Sequence, residues 1–250
     1  MQYGICHLSA IPVRCSAEDS GEMTTQLLYG DCFKVLEHRK NWSKIRISFD
    51  GFEGWISNRQ FTFISEESYL EFETSKAIKN SSDLVSFIQT KNKVLVPILL
   101  GSSVLHTDIL SDQFEGGCIN TIMPKSNLVN TALLYLNTPY LWGGKTPFGI
   151  DSAGLTQMVY KMNGYKLLRS ANQQATQGDA LSFIEESEEG DLAFFDNKEG
   201  IIDHVGIIMK NNYIIHSYGK VRIDRIDHTG VFNNEIKTYT HKLRVIKKII

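Results

Sequence analysis

Residues 148–160 read FGIDSAGLTQMVY, the opening of a helix with a hydroxyl just inside it. Asp151 can cap the first turn, because its carboxylate accepts backbone N–H groups that have no partner within the helix. Leu155, Met158, Val159 and Met162 follow at helical spacing and predict one buried stripe on an amphipathic helix. Asn163-Gly164 is the expected C-cap. A nucleophile at a helix N-terminus is best placed when it is a thiol, since the helix end favours the thiolate. Here that position holds Ser152, followed by Ala153.

Acyl-transfer chemistry also needs a base. Seven histidines are present, and His7, His38, His106, His228 and His241 read as surface or packing residues. His204 and His216 each adjoin an apolar strand, in DHVGIIM and YIIHSY. The two strands predict a hairpin turning around Lys210-Asn211-Asn212. A two-residue loop pairs His216 with Ile207 and sends the histidines to opposite faces. A three-residue loop pairs it with Gly206 and puts both on one face. The two histidines have no third ligand at usable spacing, so neither a metal nor an organic cofactor is expected.

The elements that must position these residues follow from the pattern. Residues 1–62 are short alternating strands such as FKVLEH and WSKIRISF, in which Ile45, Ile47 and Phe49 face one way and Lys44, Arg46 and Ser48 the other. This predicts a small β-barrel. Residues 63–122 predict a helix at SEESYLEFETSKAI opened by Ser65, a turn or short helix at NSSDLVSFIQT, and a buried strand at NKVLVPILL. They are expected to form a second module like the first, or a linker. From residue 123 the pattern changes to a helix at SNLVNTALLYLNT, the Gly/Pro-rich loop TPYLWGGKTPFG, the helix at Ser152 and then five strand-like runs ending in HKLRVIKKI. Helices followed by an antiparallel run of strands predict an α+β domain over 123–250.

These motifs carry a resemblance. LSAIPVR, SGEMTTQLLYGD, W-x-x-I and GWI over residues 3–62 resemble a bacterial SH3 (SH3b) module. TPYLWGGKTPFGIDSAGLTQ followed by GDLAFFD, HVGII and NYIIHSYG over residues 123–250 resembles the NlpC/P60 cysteine peptidases. The resemblance implies a papain-like fold, helices packed on an antiparallel sheet, preceded by an SH3-like barrel. The combination is similar to intracellular γ-D-glutamyl-L-diamino acid endopeptidases, which act on peptidoglycan stem peptides. In that family the helix opens Asp-Cys-Ser-Gly. By motif position Ser152 then occupies the nucleophile slot, His204 is the base and His216 orients it. Tyr140 is placed to help hold an oxyanion. Asp151 and Glu22 are expected around the free amine of the substrate, beside Ala153. Ser170 stands where the family often has aspartate. The implied ligand is a muropeptide such as L-Ala-γ-D-Glu-diamino acid.

Serine for cysteine matters because an alcohol is far less acidic than a thiol, so no nucleophile–imidazolium ion pair forms before substrate arrives. The chain is thus expected to be inactive as it stands. Two cases fit, a cysteine peptidase whose nucleophile has been replaced and a natural relative that binds muropeptides without cutting them. Ala153 leans toward the second, since replacing a nucleophile needs only one change. An SH3-type adaptor for proline-rich ligands is disfavoured, because it leaves residues 123–250 without a role.

Composition sets outer bounds. The 250 residues are 42% hydrophobic and 22% charged with a net charge of −2, which argues against a nucleic-acid partner. No apolar run approaches the ~20 residues of a membrane span. MQYGICHLSAIPVR lacks the pattern of a secretory signal, so a cytoplasmic location is expected. Cys6, Cys15, Cys32 and Cys118 show no metal-ligand spacing and are expected as buried free thiols.

Overall fold

The alternating runs of the first 64 residues become seven strands: β1 (Gln2–Ile5), β2 (Ala10–Arg14), β3 (Met23–Leu28), β4 (Cys32–His38), β5 (Trp42–Ile47), β6 (Glu53–Ser57) and β7 (Thr62–Ile64). In this computed structural model, which describes residues 1–250, they form one antiparallel sheet in the order β3-β2-β6-β5-β4-β1-β7. The period of two works as expected in β5, where Ile45 and Ile47 are buried and Arg46 is exposed. Ile11, Val13, Leu27, Phe33, Ile56 and Phe61 complete that core. Helix α1 (Glu66–Thr74) starts at Ser65, whose hydroxyl accepts from the Ser68 amide, and Tyr69 stacks on Tyr3 at 4.4 Å.

Beyond α1 lie β8 (Asn80–Ser81), β9 (Val85–Gln89), β10 (Leu95–Leu99) and β11 (Cys118–Ile119), paired as two ladders, β9 with β10 and β8 with β11. The segment NSSDLVSFIQT is therefore strand and not turn or helix. Ser86 and Ile88 point inward while Val85, Phe87 and Gln89 point out, a period of two within a stretch too short to show a helical period. With β12 (Lys145–Thr146), residues 1–122 and 142–147 make one compact unit.

Residues 123–141 and 148–250 make the second unit. It contains α2 (Leu128–Leu133), β13 (Gly149–Ile150), α3 (Ser152–Met162), α4 (Ala171–Gln174), β14 (Asp179–Leu181), β15 (Leu192–Asp196), β16 (Ile202–Met209), β17 (Tyr213–Tyr218), β18 (Lys220–Ile226), β19 (Gly230–Asn233) and β20 (Thr238–Lys248). The fold class is α+β. The strands run β15-β16-β17-β18-β19 antiparallel, and β20 pairs with both β15 and β19. Six strands thus close into a barrel, which removes the open edges of a flat sheet. Phe195, Ile208, Ile214, Ile226, Val231 and Ile246 pack in its core.

Two helices depart from expectation. The α2 helix is only six residues long, because Leu133, Leu134 and Leu136 are exposed and Asn137 turns the chain at φ 67° before Pro139. The α3 helix is buried on every side and is not amphipathic. Two of its polar side chains find acceptors inside: the Thr156 hydroxyl donates to Gln174 Oε1 at 2.7 Å and Gln157 Nε2 to the Leu167 carbonyl at 3.1 Å. Of the cysteines, all free, Cys6 and Cys32 are buried but Cys15 is exposed. No helix is long and apolar enough to cross a membrane.

Candidate active site

Ser152 is the first residue of α3 and is buried, 5% exposed. The helix start is held from several sides. Asp151 is the N-cap, its Oδ1 accepting from the Gly154 amide at 2.6 Å. Both of its oxygens also accept from the Arg169 guanidinium, at 3.1 and 2.7 Å, in a buried fork. A substrate ammonium arriving at Asp151 would share a carboxylate that already has a cation. Gln174 Nε2 donates to the Ala153 carbonyl at 2.9 Å. Ser170 is not in this network; it caps α4 through Gln173. The Ile150 carbonyl accepts from Ser217 Oγ at 2.8 Å, which ties the residues just before Ser152 to β17, next to His216. Tyr140 lies opposite Ile150 across a parallel bridge.

The hairpin loop has three residues. Met209 pairs with Tyr213, leaving Lys210, Asn211 and Asn212 to turn, and Gly206 pairs with His216. Both asparagines take positive φ, 60° and 59°, a conformation asparagine tolerates better than most residues. His204 and His216 therefore share a face. A Cβ at position 206 would meet Ile214 Cδ1 at 2.6 Å and His216 Cβ at 3.0 Å, so a larger residue would displace the Ile214 side chain where the hairpin passes His216.

The two imidazoles are bonded in series. His204 Nε2 lies 2.8 Å from His216 Nδ1, and His216 Nε2 lies 3.1 Å from Asp224 Oδ2. Asp224 in turn accepts from Arg222 Nε at 2.6 Å and Nη2 at 3.1 Å. The α3 helix packs against β16 and β17, which carry the histidines. Burial, with His241 and His216 alongside, holds the His204 pKa well below its ordinary value. Burial also lowers His216, with Arg222 adding and Asp224 opposing. Burial alone would raise Asp224, but hydrogen bonds from His216 and Arg222 outweigh it and leave the carboxyl below its usual range. A neutral imidazole within reach of a nucleophile can act as its base.

Sequence reasoning missed three residues. Asp224 and Arg222 lie in KVRIDRI, where alternation puts both on one face of the strand after His216; that was the available signal. The sequence pattern around His241 predicts a surface or packing residue and no third histidine beside His204 and His216. Barrel closure brings it from β20 to stack on His204, ring centroids 3.9 Å apart and planes 20° apart. The three histidines each offer a nitrogen within 4.8 Å of the others. The arrangement does not fit a metal. Imidazole binds a cation in its ring plane at about 2.0–2.1 Å, and two nearly parallel stacked rings share no such point. The nearest pair of nitrogens is already joined by a hydrogen bond.

The remaining expected residues fall as follows. Tyr140 is partly exposed, and burial, then Asp151 and Asp203, raise the pKa of its phenol, so it stays a neutral donor. Ala153 is buried in the first turn of α3. Glu22 is an exposed residue of the first unit, just before β3.

Residues 137–240 match the model of the NlpC/P60 family, and residues 13–61 that of the bacterial dipeptidyl-peptidase SH3 domain. The chain carries an NlpC/P60 domain behind a bacterial SH3 domain. It is similar to the γ-D-glutamyl-L-lysine dipeptidyl-peptidase of Bacillus cereus, 25% identical over 80% of this chain and 68% of the relative. The Bacillus subtilis protein of the same name is 37% identical over 36% of this chain and 31% of the relative, so that match spans less than a third of its length. A crystal structure of an NlpC/P60 family protein from Bacillus cereus covers 99% of both chains at a TM-score of 0.81 and 17% identity, which bears on the fold. Within the NlpC/P60 domain, the matched segment takes in Tyr140, Ser152, His204, His216 and Asp224, and ends one residue before His241.

Proposed function

We propose that the NlpC/P60 domain is a stem-peptide site of the γ-D-glutamyl peptidase type, and that Ser152 lets it hold its ligand while turning it over negligibly. The ligand class is a short peptidoglycan peptide that begins with a free L-Ala and continues with γ-D-Glu and a diamino acid. The names of the similar Bacillus proteins support that class. One observation carries the rest: the series His204–His216–Asp224 is complete, its two histidines on the strands packed against α3, while the first residue of α3 is a serine.

In this reading His204 takes the proton of the nucleophile, and the Ser152 amide and the Tyr140 hydroxyl hold the oxygen of the tetrahedral intermediate. A thiol at position 152 gives up its proton readily at a helix N-terminus, whereas the serine hydroxyl does not. Serine is nearly isosteric with cysteine, so the ligand still fits.

The test is Ser152→Cys with L-Ala-γ-D-Glu-L-Lys. The chain as it stands should bind the peptide and release no dipeptide, and the variant should cleave it between γ-D-Glu and Lys. N-acetylation of the peptide should weaken binding. An inactive Ser152→Cys that still binds tightly would make this a binding protein. Turnover by the serine form at a peptidase-like rate would refute the argument from acidity, and absence of binding by either form would refute the ligand class.

A further inference from the structure

We propose that Asp224, clamped by Arg222, is the positioning residue that dictates where both histidines carry their protons and leaves Nδ1 of His204 bare as the basic atom. This rests on the reading of Ser152 and His204 as nucleophile position and base, and adds to it two residues from a different strand.

The logic runs inward from β18. An arginine has only donors and never gives up its charge under ordinary conditions. Arg222 grips Asp224 with Nε on Oδ2 and Nη2 on Oδ1, and its Nη1 reaches Glu235 Oε2 at 3.0 Å. So held, Asp224 is a carboxylate, which can only accept. The 3.1 Å contact to His216 Nε2 must therefore be an N–H donated by the histidine. A neutral His216 with its proton on Nε2 has a lone pair on Nδ1. That nitrogen can only accept in the 2.8 Å contact with His204 Nε2, so His204 is the donor. A neutral His204 with its proton on Nε2 has Nδ1 free to act as base. Each bond has one donor and one acceptor, and the series has a single solution.

Arg222 has a second effect. A lone carboxylate against a buried imidazole favours the imidazolium. Protonated His216 would carry N–H at both nitrogens, force His204 to accept at Nε2, and put a proton on His204 Nδ1. The guanidinium beside Asp224 opposes this by partly cancelling the carboxylate charge, while leaving its oxygens as acceptors. The pair works as an acceptor of little net charge. Such a device fixes a tautomer without fixing a cation.

Long-range ¹H–¹⁵N correlation spectra of the histidine-labelled chain, unmutated and at pH 7.5, read the proton positions directly. His204 and His216 should both show N–H at Nε2 and a bare Nδ1. Asp224→Ala removes the acceptor and leaves Arg222 with only donors to offer His216 Nε2, so both rings should switch to N–H at Nδ1, and Asp224→Glu should restore the original pattern. A proton on His204 Nδ1 in the unmutated chain overturns the proposal, whether or not any variant folds. Unchanged tautomers in a folded Asp224→Ala overturn it too. In the Ser152→Cys background, Asp224→Ala should lower kcat roughly a thousandfold or more with KM little changed, as expected when a base presents the wrong nitrogen. If Ser152→Cys alone is inactive, the proposed function fails, while the spectra still decide the proton positions.

Discussion

Acid should loosen the second unit well before its carboxylates titrate, and His241 gives the size of the effect. Its ring stacks on His204 and meets the edges of His216 and Tyr218 at 5.5 and 4.9 Å, with Asp224 and Arg222 behind His216. Burial first, then His216, lowers its pKa from 6.5 to about 4, against a smaller opposing pull from Asp224. The depressed value means the unfolded chain binds more protons between those two limits. Stability is therefore whole above pH 6.5 and falls as the pH drops toward 4. At 1.36 kcal/mol per pH unit, the loss at pH 5 from this one ring is about 2 kcal/mol. His204 and His216 are lowered too and act in the same direction. Against a typical total of about 5–15 kcal/mol, this is a large fraction.

All three tryptophans, Trp42, Trp55 and Trp142, lie in the first unit, so their fluorescence does not report on this transition. Amide hydrogen exchange along β16, β17 and β18 at pH 7.5 and 5.0, corrected for intrinsic rates, does. His241→Phe keeps an aromatic ring against His204 and removes the titrating group. It should recover about 2 kcal/mol of the difference between the two pH values. Equal protection at both pH values, or an identical pH dependence in His241→Phe, would refute the claim that burial of this imidazole opposes its protonation.

Other expectations concern the start of α3. Arg169→Leu takes the cation from the buried Asp151 carboxylate, whose Oδ1 keeps the Gly154 amide, and should cost about 3 kcal/mol in a urea unfolding series. Ser217→Ala removes one donor from the Ile150 carbonyl, which keeps the Leu141 amide at 3.2 Å, so thermal unfolding should register only about 1 kcal/mol. Tyr140→Phe in the Ser152→Cys background should lower kcat roughly 10²-fold with KM nearly unchanged; an equal kcat would remove the phenol from the oxyanion site.

What was legible in the sequence follows the range of each interaction. The strands of residues 1–64 and of 192–248 are legible because their period of two is local. The cap at Asp151 and the end at Asn163-Gly164 were equally local and appear as expected. The all-round burial of α3 was hidden, since Thr156, Gln157 and Lys161 look like a solvent face until Gln174 and Leu167 arrive to bond two of them. His241 was illegible for the same reason on a larger scale. Only closure of the barrel through β20 puts it over His204, and no local pattern encodes closure.

The hairpin at Lys210-Asn211-Asn212 shows how much of the site hangs on one integer. Sequence left the loop at two or three residues, and the choice decides more than the pairing of His216. Side chains alternate along a strand, so the parity set at the turn is carried into every later strand bonded in register. His216 pairs with Arg222 and Ile214 with Asp224, which places both β18 residues on the face that His216 occupies. With three loop residues that face is also His204's, and the series from Arg222 to His204 forms as a whole. With two, His216, Arg222 and Asp224 would turn away from His204 together. The left-handed backbone at Asn211 and Asn212 is what permits the odd length. A polar loop with no chemistry of its own thus determines whether the base has a partner at all.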